Sequence, residues 1–180
     1  DVSNYISYEM GQPTHCYDAK KIGNLFSLEI IIEDKKFHTL LEKEIVITGR
    51  NLVFLQDGKV INLAGVMGGK NTSCSTNTKS VIIECAHFNP EEIIGKSVKY
   101  DIKSDAAHKF ERGVDPLCHE EVLRRFIQIV SNHAKIKNVE IYKDTFVDYT
   151  HFKIPFDANK ISDILGISND KKVFEEYLLK

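Results

Sequence analysis

The sequence lacks several features that would each have named a class. None of its four cysteines (Cys16, Cys74, Cys85, Cys118) forms a C-x-x-C pair, so neither a zinc knuckle nor a disulfide ladder is written into it. The thiols are read as free and buried in a reducing compartment. No apolar run nears the roughly 20 residues that span a bilayer, and no signal peptide opens the chain, so a cytoplasmic protein is expected. Excess charge is missing too: 24 Lys plus Arg face 26 Asp plus Glu, a formal −2. That balance excludes a nucleic-acid binder held by bulk charge, while leaving room for local contact with RNA. There is no G-x-G-x-x-G or G-x-x-x-x-G-K phosphate cradle. His87, His108 and His119 lack H-E-x-x-H or comparable spacing, so no metal is expected.

What remains is an ordinary globular composition: 180 residues, 42% apolar, 28% charged and 9% aromatic. A chain of this size buries about 70% of its unfolded surface, enough for a core. The absent initial Met and the helical pattern at the end suggest a piece of something longer.

Short β-branched runs predict strands at Phe26–Glu33, Glu44–Thr48, Leu52–Gln56, Val81–Glu84 (a buried one) and Asn138–Asp148. Asp57-Gly58, between LVFLQ and KVINL, predicts a type I′ hairpin, whose central residues both need positive φ. Asp18 caps a short turn that Gly23 ends. Helices are expected over Pro90–Tyr100, weakened by Gly95, and over Asp115–Ala134, with Asp115 as N-cap and Pro116 at N1. Near the end, Asp157 caps a helix that Gly166 stops, and Ser168 or Asn169 starts another. The domain boundary is placed at 152/153, near a change of character at 150–154.

Four stretches look unlike ordinary elements. In DVSNYISYEMGQPTHCYD, Gly11-Gln12-Pro13 breaks the chain and His15 follows at a rigid bend, either a capped structural residue or a near-neutral donor and acceptor. Ser3 and Asn4 are read as turn or cap residues. In LAGVMGG, Gly68 and Gly69 allow either close backbone approach to a ligand or a tight sheet corner. In VIIECAHFN, Glu84 leaves an apolar strand and must find donors, because an unpaired buried charge is very costly. Those donors are either a structural partner such as Arg112 or a ligand hydroxyl. In KSDAAHKFERGVDP, the small residues Ser104, Ala106 and Ala107 can floor a pocket, while Glu111, Arg112 and Asp115 form an ion-pair clasp.

Taken in order, these segments resemble the B3/B4 region of bacterial phenylalanyl-tRNA synthetase β subunits over about residues 1–150. The family pattern is N-Y with G-Q-P-x-H-x-[FY]-D, then A-G-V-M-G-G, then E-x-A-x-F, then T-x-A-S-x-R-[FY]-E-R-G-V-D-P. IPFDANKISDILGIS, from about Ile154, resembles the opening of a B5 module of winged-helix type. The resemblance implies an α+β, β-rich fold, an irregular β-sandwich with peripheral helices, followed by the start of a small helical module.

It also implies hydrolytic removal of tyrosine mis-attached to tRNA(Phe). A phenylalanine pocket rejects an added hydroxyl poorly, so a second site must select for it. Position by position, Glu84 matches the carboxylate that recognises the phenol, and His15 the histidine that places ester or water. Gly68 matches a small residue open to the amino acid, Ser104 and Ala106 the pocket wall, and Ser3 and Asn4 a pair beside the ester. Amides near Gly68 and Gly69 are candidate oxyanion donors. Ala107, Lys109, Ser104 and Cys16 depart from the commoner residues. The implied partners are tRNA(Phe) and the synthetase α subunit in an α2β2 assembly. No cofactor is expected in this piece, ATP and Mg2+ belonging to the whole enzyme. Two rival readings stand beside this one: a non-catalytic module bracing tRNA or subunit, and a free-standing trans-editing hydrolase.

Overall fold

The computed structural model describes residues 1–23, 26–144, 150, 153–166, 168 and 170–179. The chain divides into two compact units, Asp1–Tyr142 and Lys143–Lys180.

The first unit is α+β, built from small antiparallel sheets with helices around them. Helix α1 (Val2–Met10) is capped by Asp1, whose carboxylate accepts from the Ser3 and Asn4 amides, and it ends at Gly11 with φ +76°. Ser3 and Asn4 thus lie in a helical first turn, which corrects their reading as turn or cap residues. Val2, Ile6 and Met10 recur at helical spacing and give α1 its packed face. Strand β1 (His15–Asp18) pairs with β8 (Val81–Glu84) in a two-stranded ribbon, with His15 opposite Glu84 and Tyr17 opposite Ile82. A four-stranded sheet runs in the order β2 (Ser27–Ile31), β5 (Asn51–Gln56), β6 (Lys59–Leu63), β7 (Met67–Gly68). Strands β3 (Lys35–His38) and β4 (Glu44–Ile47) form a separate pair. The Asp57-Gly58 turn joins β5 to β6 with φ of +49° and +72°, as a type I′ turn requires.

Strand alternation decides what each face of the ribbon meets. Tyr17 and Ile82 face the main apolar cluster, with Phe37, Phe54, Leu63, Phe88 and Phe110. Cys16 and Ile83 face a second cluster made by Ile6 of α1 with Val122 and Phe126 of helix α5 (His119–Ser131). Both clusters lie within the first unit.

Several expected elements differ. The helix predicted from Asp115 begins at His119, after Cys118. Asp115 accepts from the Leu117 amide at 2.8 Å, so its capping chemistry closes a turn ahead of the helix, and Pro116 is not at N1. The Pro90–Tyr100 segment splits into α2 (Pro90–Ile93) and α3 (Lys96–Lys99), because Gly95 adopts φ +75° between them. Val81–Glu84 is a strand, yet only half-buried where a buried one was expected. Residues 138–144 form no strand: Val139, Ile141 and Tyr142 are exposed, and no strand among the described residues pairs with them. The rest of that predicted strand, 145–148, lies outside the described residues. Helix α4 (Asp105–Phe110) arises where a loop was read, with Ser104 as its cap.

In the second unit, α6 (Ala158–Leu165) is capped by Asp157 and ends at Gly166 with φ +68°. Helix α7 (Lys171–Leu178) is capped by Asp170 rather than Ser168, while Asn169 lies outside the described residues. The Phe156 and Phe174 rings pack with centroids 5.9 Å apart. Among the described residues no helix is long and apolar enough to cross a membrane.

Candidate functional site

Two cross-strand pairs from different sheets meet face to face. His15 and Glu84 stand opposite each other on the ribbon, and Asn62 and Gly68 stand opposite each other on β6 and β7. Opposed residues project to the same side, so each pair presents two residues to the other. The Asn62 amide donates to Glu84 Oε2 at 3.2 Å and to the Tyr17 phenol oxygen at 2.7 Å, and the phenol donates to Glu84 Oε2 at 2.5 Å. His15 packs edge-on against Tyr17, centroids 4.5 Å apart.

Gly68 is required by proximity rather than by φ. A Cβ there would lie 2.2 Å from His15 Cε1 and 2.6 Å from Nε2. The imidazole therefore lies against the bare backbone. His15 Nε2 is buried with no hydrogen-bond partner among the described residues. Gly69 faces elsewhere: a Cβ there would meet the Ile61 carbonyl oxygen at 2.6 Å and Phe37 of the core. Its amide donates to Ile61 O at 2.9 Å, so the expected oxyanion role for this amide is lost to the sheet.

Burial sets the electrostatics of the site. It pushes the Glu84 carboxyl up to about 7, against the lowering effect of the Tyr17 bond, even though the residue as a whole keeps some exposure. It pushes His15 down to about 4, so the imidazole is neutral at pH 7. The Tyr17 phenol is pushed up, by burial and then by the neighbouring carboxyl. A poised carboxyl, a neutral imidazole and a bare backbone thus share one place.

The structural alternative for Glu84, an ion pair with Arg112, is not what forms. Arg112 pairs with Glu111 at 2.5 Å and donates to the His108 carbonyl at 2.9 Å. The expected clasp therefore contains Glu111 and Arg112, while Asp115 serves the Leu117 turn. Ser104 accepts from the Ala107 amide at 3.1 Å and donates to Val66 O at 2.6 Å, tying the start of α4 to the turn before Gly68. Ala106 packs half-buried against the main cluster, and Ala107 is buried within it. Lys109 Nζ donates to the Ser7 carbonyl, linking α4 to α1.

The structure brings His15, Gly68 and Glu84 together, while Ser104 bonds to Val66, two residues before Gly68. It places Ser3 on the other face of the ribbon, where its Oγ lies 3.4 Å from Cys16 Sγ, and Asn4 is exposed. Asn62 and Tyr17 carry the bonds to Glu84 without having been singled out. Their signals were legible: an asparagine inside the apolar strand KVINL, and a tyrosine two residues past His15. Among the described residues no group of three or more His, Cys, Asp or Glu could hold a metal ion. One carboxyl beside an amide, a phenol and an imidazole does not suit Mg2+, which favours several oxygen ligands.

The B3/4 domain family matches residues 1–135. The chain is 32% identical over 171 residues to the phenylalanine–tRNA ligase β subunit of Legionella pneumophila (strain Lens), covering 93% of this chain and 21% of that protein. It is 29% identical over 180 residues to that of Francisella tularensis subsp. tularensis, covering 99% and 23%. With the corresponding subunit of Shewanella oneidensis it shares 35% over 130 residues, covering 72% and 16%. The chain spans about a fifth of the length of the first two relatives.

Proposed function

The chain belongs to the B3/4 domain family, and on that premise we propose that it is the hydrolytic proofreading module of a phenylalanine–tRNA ligase β subunit, releasing tyrosine mis-attached to tRNA(Phe). The observation that carries this reading is the Glu84 carboxyl, held beside His15 and Gly68 without a cationic partner among the described residues. Among the described residues the two bonds to that carboxyl both fall on Oε2, which leaves Oε1 to accept a hydrogen bond from a ligand phenol. A phenylalanine ring in the same place would leave the acceptor unpaired, at about 1–3 kcal/mol.

Hydrolysis needs a water positioned on an activated ester. The water oxygen bonds to the carbonyl carbon, the bond from that carbon to the ribose oxygen breaks, and a proton from the water passes to the ribose oxygen, giving free tyrosine and the ribose hydroxyl. Neutral His15, with Nε2 unengaged among the described residues, is suited to orient ester or water by hydrogen bonding, and its lowered pKa makes it a weak base. No step runs through a metal or nucleotide. The synthetase α subunit and tRNA(Phe) are the partners of this reading, and residues 153–180 are read as the start of a B5-like module.

The test is Glu84→Ala in the intact synthetase, assayed on Tyr-tRNA(Phe) and Phe-tRNA(Phe). Tyrosine release is expected to slow about tenfold or more, far beyond any effect on charging. Discrimination between the two esters that survives the substitution refutes the role of Glu84. A second reading, a bracing module with a degenerate cleft, draws on the Tyr17 bond, which supplies Glu84 with a phenol from within the chain. It requires the wild-type synthetase to leave the Tyr-tRNA(Phe) lifetime unchanged from buffer.

A further inference from the structure

We propose that Tyr17 and Asn62 are the positioning pair that sets the specificity of the Glu84 site, by engaging carboxyl oxygen Oε2 from two sheets so that Oε1 alone is offered to the ligand phenol. This rests on the proofreading reading and deepens it.

The three side chains form a closed hydrogen-bonded triangle. Tyr17 has one proton to donate, and it goes to Glu84 Oε2 at 2.5 Å. Its oxygen accepts from Asn62 Nδ2 at 2.7 Å. The same Nδ2 reaches Glu84 Oε2 at 3.2 Å. Tyr17 is fully buried and Asn62 is 3% exposed, so both are shielded from bulk solvent. Tyr17 comes from the ribbon and Asn62 from the four-stranded sheet, so the carboxyl is gripped from both sides of the junction.

An untethered carboxyl would present two interchangeable oxygens and lose rotational freedom on binding. With Oε2 anchored, that ordering is complete before the ligand arrives, which strengthens a hydrogen bond to Oε1. Among the described residues, the titratable groups facing Glu84 are His15 and Tyr17 from β1, with the Cys16 and Cys85 thiols nearby on the other face of the ribbon. None of them is charged at neutral pH, since burial lowers His15 and raises the other three. The Tyr17 bond therefore opposes the effect of burial on the carboxyl without help from a cation. Removing it raises the pH at which Glu84 becomes an acceptor.

The experiment is Tyr17→Phe in the full-length synthetase, with tyrosine and phenylalanine release from tRNA(Phe) followed from about pH 5 to about pH 9. Tyr17→Phe retains the ring in the core. At neutral pH the ratio of tyrosine to phenylalanine release is expected to fall about tenfold, with the midpoint of that ratio shifted up by about one pH unit and selectivity recovered on the alkaline side. An unchanged ratio and midpoint, or equal loss of both activities at every pH, overturns the positioning role while leaving the proofreading reading intact. Absence of tyrosine release by the wild-type enzyme overturns that reading, and this role with it.

Discussion

A methyl group at position 68 would stand 2.2 Å from the His15 ring, well inside van der Waals contact. Gly68→Ala is therefore expected to displace the imidazole. The predicted cost is about 1–3 kcal/mol of stability, measured by denaturant unfolding, together with at least about a tenfold loss of ester hydrolysis in the intact enzyme. Retained hydrolysis would show that the position of His15 does not matter. The glycine pair was visible in the sequence, but the two glycines serve different ends. Gly68 makes room for a site residue, whereas Gly69 lets β7 press against Ile61 and Phe37. No local pattern distinguishes the two, because the difference lies in which neighbour approaches from another strand. Glu84 is a similar case. Its place after three apolar residues announced that it needed donors, but the donors are Tyr17 and Asn62, 67 and 22 residues away.

At the scale of elements, Ser104 couples a helix start to a strand turn. Its hydroxyl caps α4 and donates to Val66 O. Ser104→Ala is expected to destabilise the fold by about 1–2 kcal/mol in urea unfolding, with Ser104→Thr recovering most of that loss. If Ser104→Ala matches wild type, the cap contributes nothing. The hairpin at Asp57-Gly58 was legible because positive φ at two adjacent positions is a local demand. The start of α5 was not, because Asp115 makes the same side-chain bond to an amide two residues ahead in a turn as it would in a cap. Helix α1 was missed although Asp1, the Val2, Ile6, Met10 spacing and Gly11 all mark it. Its face is defined by Val122 and Phe126, which only the folded chain brings near.

For the molecule as a whole, both apolar clusters fall within residues 1–142. Residues 1–142 produced alone are expected to retain a cooperative thermal transition, followed by near-ultraviolet circular dichroism. Loss of that transition would mean that the core depends on residues 143–180. The ribbon of β1 and β8 explains why a two-stranded sheet persists here, although such pairs are marginal in isolation. One face joins the main cluster and the other is covered by α1 and α5.

Turn chemistry and apolar periodicity are local properties, and they determined the hairpin and the Asp157-capped helix of the second unit, while local oddities in the chain drew attention to His15, Gly68, Glu84 and Ser104. Only the tertiary structure decided which of these come together. It turned Ser3 to the far side of the ribbon, committed the Gly69 amide to Ile61, gave Arg112 to Glu111, and brought Tyr17 and Asn62 to the carboxyl. The reason is that hydrogen bonds and burial between distant strands depend on register and on the packing of sheets, and neither can be read from neighbours along the chain.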